Sequence, residues 1–167
     1  MEFYFSATVN GTIWKMLADP EYKRVFVEIR NQQSGKVLFS ALHIADRQWI
    51  WNEVMLEEPW WVTLAAVTAQ MVFFTVYTDA NNPDKKSLLA FEIATQKMLW
   101  WKNDFALSTV SGQIVTGIET RFGAREIAMR AGDGTELSRE SVVLGMEQNF
   151  KVIRPFQYHE GSEHFKT

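Results

Sequence analysis

Apolar and polar residues alternate along this chain with a period of two, in short runs divided by turn-forming residues. Residues 2–9 form the first such run, and Asn10-Gly11, a strong hairpin signal, closes it. Runs at 12–18, 24–31 and 36–44 follow, turned by Asp19-Pro20-Glu21 and by Gln32-Gln33-Ser34-Gly35. A second group covers 60–68, 71–78, 87–93 and 97–102, with the polar loop "DANNPDKK" before its third run. A third covers 106–110, 113–120, 125–131 and 135–139, turned at Ser111-Gly112, Phe122-Gly123 and Gly132-Asp133-Gly134. The pattern predicts an all-β chain of short antiparallel strands in three groups of four.

Three stretches share the form of their last hairpin: "VFVEIRNQQSGKVLFS", "LLAFEIATQKMLWW" and "EIAMRAGDGTELSR". Aligned at the turn, they place Gly35, Gln96 and Gly134 together. Repeats of about forty to fifty residues with four strands each suggest propeller blades. The first interval is longer than the second, which makes 45–59 a long connection between blades. "MVFFTVYT" and "WWVTLAAV" are apolar on both faces, as stacked sheets require and as a sheet with one wet face does not. The expected organisation is a single all-β domain over 1–167, with blade-like units at 2–44, 60–102 and 105–139 and a further strand and tail in 141–167. Pro155 suits an edge position in that last segment, and the final "HEGSEHFKT" reads as a mobile tail. A closed lipocalin-like barrel with an apolar cavity is the alternative for this length and strand number.

Composition narrows the chemistry. Twelve Phe, seven Trp and four Tyr suit a packed β-structure, and the hydrophobic share of 47% suits a globular chain of 167 residues. The net charge of −3 gives no electrostatic footprint for nucleic acid. With no cysteine, disulfides, thiolate nucleophiles and cysteine-held metal centres are excluded. The start has no signal-peptide pattern, and the most apolar stretch reads as two strands rather than a membrane span, so a cytoplasmic location is expected.

"LLAFEIATQKMLWW" resembles the repeat of quinoprotein-like β-propellers, Leu-x-Ala-x-(acidic)-x-x-Thr-Gly-Lys-x-x-Trp. Leu89, Phe91, Ile93, Thr95, Lys97, Leu99 and Trp100 or Trp101 occupy its positions, with Gln96 in place of the turn glycine. In the first copy Gly35, Lys36 and Phe39 match the turn and the aromatic, and in the third Asp133-Gly134 match the turn. The resemblance implies that one tryptophan of the Trp100-Trp101 pair cements neighbouring blades. The other points to the opposite side of its strand and, if exposed, becomes a contact candidate. A pyrroloquinoline quinone cofactor does not follow, because this chain has about three blades and no vicinal cysteine pair. The chain is similar to a small uncharacterised bacterial propeller-like family, and no cofactor is expected. Three blades leave two end faces, which points to a protein partner or to a homo-oligomer, such as two chains closing a six-bladed ring about a two-fold axis.

Few residues look catalytic, and a non-enzymatic role is favoured. Glu53 and Glu57 lie among Trp49, Trp51, Trp60 and Trp61, a mixture seen where tryptophans stack on sugars. This Trp-rich stretch, 45–61, is the first choice for a binding surface, although a loop packed by its own aromatics explains it more simply. His159 and His164 lack a metal-ligand spacing, and His43 ends a strand, so no metal is expected. Arg121, Arg125 and Arg130 have Glu119 and Glu126 near enough to balance them. Three readings stand at this point: a propeller-like module acting through protein contacts, a small-ligand barrel, and a carbohydrate binder. The ligand itself is not specified by the sequence.

Overall fold

The computed structural model describes residues 6–138 and 151–153. Its first sheet holds β1 (Thr12–Asp19), β2 (Arg24–Asn31), β3 (Lys36–His43) and β4 (Gln48–Val54). The second holds β5 (Val62–Val67), β6 (Met71–Tyr77), β7 (Lys86–Glu92) and β8 (Met98–Lys102). The third holds β9 (Phe105–Ser111), β10 (Ile114–Glu119), β11 (Arg125–Arg130) and β12 (Glu136–Leu137). A late strand, β13 (Lys151–Ile153), pairs antiparallel with β1. Each sheet is an antiparallel meander in chain order, and no helix occurs among the described residues. The fold is therefore all-β and built of blade-like sheets. Every sheet ends in two different strands, so the described residues form no closed barrel.

A repeat runs through the three sheets at the turn from third to fourth strand. Arg47, Gln96 and Gly134 all have left-handed backbones there, with φ of 58°, 59° and 71°. Three residues earlier, the amides of Ile44, Ile93 and Ala131 donate to the carbonyls of Lys23, Gln70 and Gln113, at 2.8, 2.9 and 2.8 Å. Each of these bonds ties a sheet's first turn to its last.

This repeat corrects the alignment expected above. Gly35, with φ 62°, and Lys36 belong to the turn between β2 and β3, so Gly35 is not the partner of Gln96 and Gly134. Arg47 is. Only glycine advertises a left-handed turn in sequence, and here arginine and glutamine adopt it. Phe39 accordingly sits in β3, with its ring 4.6 Å from that of Phe74. The stretch 45–59 is not a plain connection, because it contains β4, and the first sheet runs from 12 to 54 rather than from 2 to 44. Residues 6–9 form no strand, 1–5 lie outside the described residues, and Asn10-Gly11 therefore turns no hairpin. Gly11 is needed for another reason: a Cβ there would stand 2.6 Å from the Arg30 carbonyl oxygen. Pro155, His159 and His164 lie outside the described residues.

The sheets stack face to face around one hydrophobic core that draws on all three. Phe73 and Phe74, neighbours on β6, are both fully buried, one on each face of the middle sheet. Burying such a side chain contributes about 1.5–3 kcal/mol each. That middle sheet is what made its strands read as apolar on both sides.

Polar side chains of the first sheet serve the backbone of β5, the open edge of the second. Glu28, with no exposed surface, accepts from the Thr63 hydroxyl at 2.7 Å and the Leu64 amide at 2.9 Å. It also pairs with Arg30 at 2.8 Å, whose guanidinium donates to the Val62 carbonyl at 3.0 Å. Arg24, ion-paired with Asp19, donates to the carbonyls of Thr68 and Ala69 at 2.9 and 3.0 Å. The edge groups of a sheet demand partners when buried, and these side chains supply them.

Candidate binding groove

Trp100 and Trp101 point to opposite faces of β8, opposite Ala90 and Leu89 respectively. Trp100 is buried between the second and third sheets. Its indole N–H donates to the Ala131 carbonyl at 2.8 Å, and its ring lies on Gly134, where a Cβ would come within 2.9 Å of it. Trp51 repeats the arrangement one sheet earlier: it stands opposite Ala41, is buried, and donates to the Ile93 carbonyl at 2.8 Å. Ile93 and Ala131 are equivalent in the repeat, so the two tryptophans dock on equivalent atoms. In the third sheet Leu137, opposite Ala128, holds that place without a donor.

Trp101 is 57% exposed. It shares its face with Leu89, Phe91 and Met98, and this face looks into a groove of about 690 Å³. The opposite wall is the chain leaving β4, with Met55, Leu56, Glu57 and Glu58. Met55 and Met98 are about half exposed. The Glu58 carboxylate accepts the amides of Trp60 and Trp61 at 3.0 and 2.8 Å, which fixes the bend of that wall. Glu57 stays exposed on the rim. The groove thus has an aromatic and thioether floor under a partly acidic lip.

The residues singled out in sequence are dispersed. Of the Trp-rich set, only Glu57 reaches this groove. Trp51 belongs to the core, and Trp49 lies on the other face of β4, opposite Leu42. The Glu53 carboxylate accepts the Asn10 amide at 3.2 Å. Trp60 and Trp61 line a separate cleft of about 290 Å³ with Trp14, Arg30, Tyr77 and Asp79. There the Arg30 guanidinium lies 5.1 Å from the Trp14 ring and 5.3 Å from that of Trp60. Among the repeat residues, the Thr95 hydroxyl donates to Glu92 at 2.5 Å, and Lys97 is exposed. The Asp133 carboxylate accepts the Thr135 amide at 3.0 Å, which lowers its pKa below the usual carboxylate range, with Arg130 adding to the effect. Met55, Leu89 and Met98 carry no sequence signal of a site; Trp101 did, through strand alternation.

Two of the three clustered arginines serve as ion-pair partners, while Arg121 lies 5.2 Å from the Phe122 ring. Arg125 bonds Glu119 at 2.7 Å and Glu136 at 2.9 Å, and Arg130 pairs with Asp133 at 3.1 Å. Glu119 also meets Lys102 at 2.7 Å. Hydrogen bonds from Lys102 and then Arg125 bring the Glu119 pKa down to about 2.

Residues 18–100 match a family model described as Domain of unknown function (DUF4905). The matched stretch runs from the end of β1 to Trp100, and so includes both docking tryptophans and most of the groove. No curated protein matches the chain. No helix among the described residues is long and apolar enough to cross a membrane.

Proposed function

We propose that this chain is a non-enzymatic, β-propeller-like module of the quinoprotein-like kind that holds a protein partner in the groove over Trp101. The supporting observation is the groove itself: a tryptophan and two methionines, each about half exposed, gathered along one apolar groove. Trp and Met are enriched at protein interfaces, and thioethers adapt to varied apolar side chains. The propeller-like reading draws support from the paired tryptophan docks and from consecutive sheets stacked in chain order. A partner protein is preferred to self-association. The outer face of the third sheet sets Thr109, Thr116, Glu126 and Arg130 among Ile114, Ile118 and Leu137, a mixed surface less suited to receiving another blade than the apolar faces of the middle sheet. The cysteine-free composition agrees with a cytoplasmic setting.

A photo-crosslinking residue at Met98 in the native host is the test, compared with the same probe at Lys85 on the polar loop. One protein captured at Met98 alone, and binding the purified chain but not W101A, supports the reading. Equal capture at both positions, or binding indifferent to W101A, defeats it.

Carbohydrate binding remains a second reading because of the cleft under Trp14 and Trp61, which are 60% and 46% exposed. Oligosaccharides that quench tryptophan emission in the parent chain but not in W61A support it. Unchanged emission across a panel of sugars retires it.

A further inference from the structure

The first strands of the three sheets, β1, β5 and β9, lie next to one another, and β13 closes beside them. Between them is a cavity of about 320 Å³ that is separate from the groove and shares Thr63 and Tyr77 with the aromatic cleft. Lys15 enters it from the first sheet and Lys86 from the second. Thr75, Tyr77 and Ser108 contribute hydroxyls, and Val152 of β13 forms part of the wall. No carboxylate lines it among the described residues, although the chain as a whole is acidic. Neither lysine forms an ion pair among the described residues. The Lys15 ammonium donates to the Leu64 carbonyl at 2.7 Å, and that of Lys86 lies 5.7 Å from the Tyr77 ring.

We infer that this cavity binds a small oxyanion of phosphate size, free or as a monoester, between Lys15 and Lys86. Two ammonium groups and three hydroxyls form a donor set whose nearest acid, Glu28, is already engaged by Arg30, Thr63 and Leu64, which suits a tetrahedral anion. An ammonium retains two further donors after bonding one carbonyl. Burial lowers the pKa of Lys15, and the charge of Glu28, its cross-strand partner, offsets this only in part, so an anion in contact supplies further compensation. The lysines come from different sheets, so the ligand also ties the first sheet to the second.

The experiment is calorimetric titration of inorganic phosphate, and separately of phenyl phosphate, into the purified full chain at constant ionic strength. A saturable heat with a one-site isotherm is expected. K86M, which alters a half-buried side chain and preserves the fold, is expected to weaken binding at least about tenfold. K85M, on the neighbouring exposed loop, is expected to leave it unchanged. Tighter binding of phenyl phosphate identifies an ester as the occupant, and tighter binding of inorganic phosphate identifies the free ion. The inference is overturned if neither anion gives a saturable heat, or if K86M binds like the parent. K15M adds a second check where it folds, and K86M decides the matter where it does not.

Discussion

Two adjacent tryptophans with opposite fates show how much one position on a strand decides. Trp100 fills the space between two sheets and satisfies the Ala131 carbonyl, whereas Trp101 meets solvent. Truncating a buried aromatic costs about 3–5 kcal/mol, so W100A is expected to lower the urea midpoint severely. W100F retains most of the packing but strands a buried carbonyl, for which about 1–3 kcal/mol is expected. W101A is expected to shift stability by less than about 0.5 kcal/mol while abolishing partner binding. G134A tests the same dock from below, because its Cβ would strike the Trp100 ring at a backbone already left-handed. A loss of about 1–3 kcal/mol is expected, again from equilibrium unfolding. Sequence alone shows that the two tryptophans diverge, because strand neighbours alternate. It does not show which of them faces the next sheet, since that depends on how the sheets stack.

Strands and turns were more legible than their grouping. Alternation located nearly all of the second and third sheets, and it named β2 and β3 within a residue or so. It missed β4 because Trp49, Ile50 and Trp51 make both faces of the strand look apolar, and a register shift there turns the two tryptophans, which alternation would put on one face, to opposite sides. It overlooked the matching turn because Arg47 holds a conformation usually left to glycine. The contacts between sheets were invisible for a different reason: Glu28 and Arg30 look like the wet side of a strand until β5 is laid across them. E28A leaves Arg30 without its carboxylate and the Leu64 amide without its acceptor, and about 3–5 kcal/mol of destabilisation is expected by urea titration. Glu119 is a milder joint, at the end of β10, reaching Lys102 at the end of β8. Its pKa falls from an ordinary value near 4.5 to about 2 on folding. Its stabilising effect is therefore complete above about pH 4.5 and is lost as the pH drops toward 2. In E119Q the urea midpoint is expected to change less steeply with pH across that window. A slope equal to the parent's would show that the ion pairs of Glu119 contribute nothing.

Across the whole molecule the sheets differ in what they present outward. The middle sheet is covered on both faces, while the third turns Thr116, Ile118, Glu126 and Arg130 to solvent. An array of repeats ends where its last face becomes wet, and here charged Glu126 and Arg130 break up the apolar residues Ile114, Ile118 and Leu137 on the same face. Light scattering on a sizing column is accordingly expected to give the mass of one chain, 19.3 kDa. A dimer that survives dilution would instead direct attention to a ring made of two copies. The groove was barely legible at this scale, because its walls come from the end of the first sheet and the face of the second. As contact candidates the sequence marks only Glu57 and Trp101 of its lining, each for a reason unrelated to the other.

The pairing of β13 with β1 has a consequence for biosynthesis. The partner of β1 follows it along the chain by about 130 residues. At about 5–20 residues per second the wait is on the order of ten seconds. During that time β1 offers an unpaired edge to any neighbouring nascent chain, while the second sheet already has all four of its strands. The nascent chain therefore acquires its middle before its beginning is sealed, and slow translation ahead of Lys151 would lengthen the interval in which β1 can pair with the wrong chain.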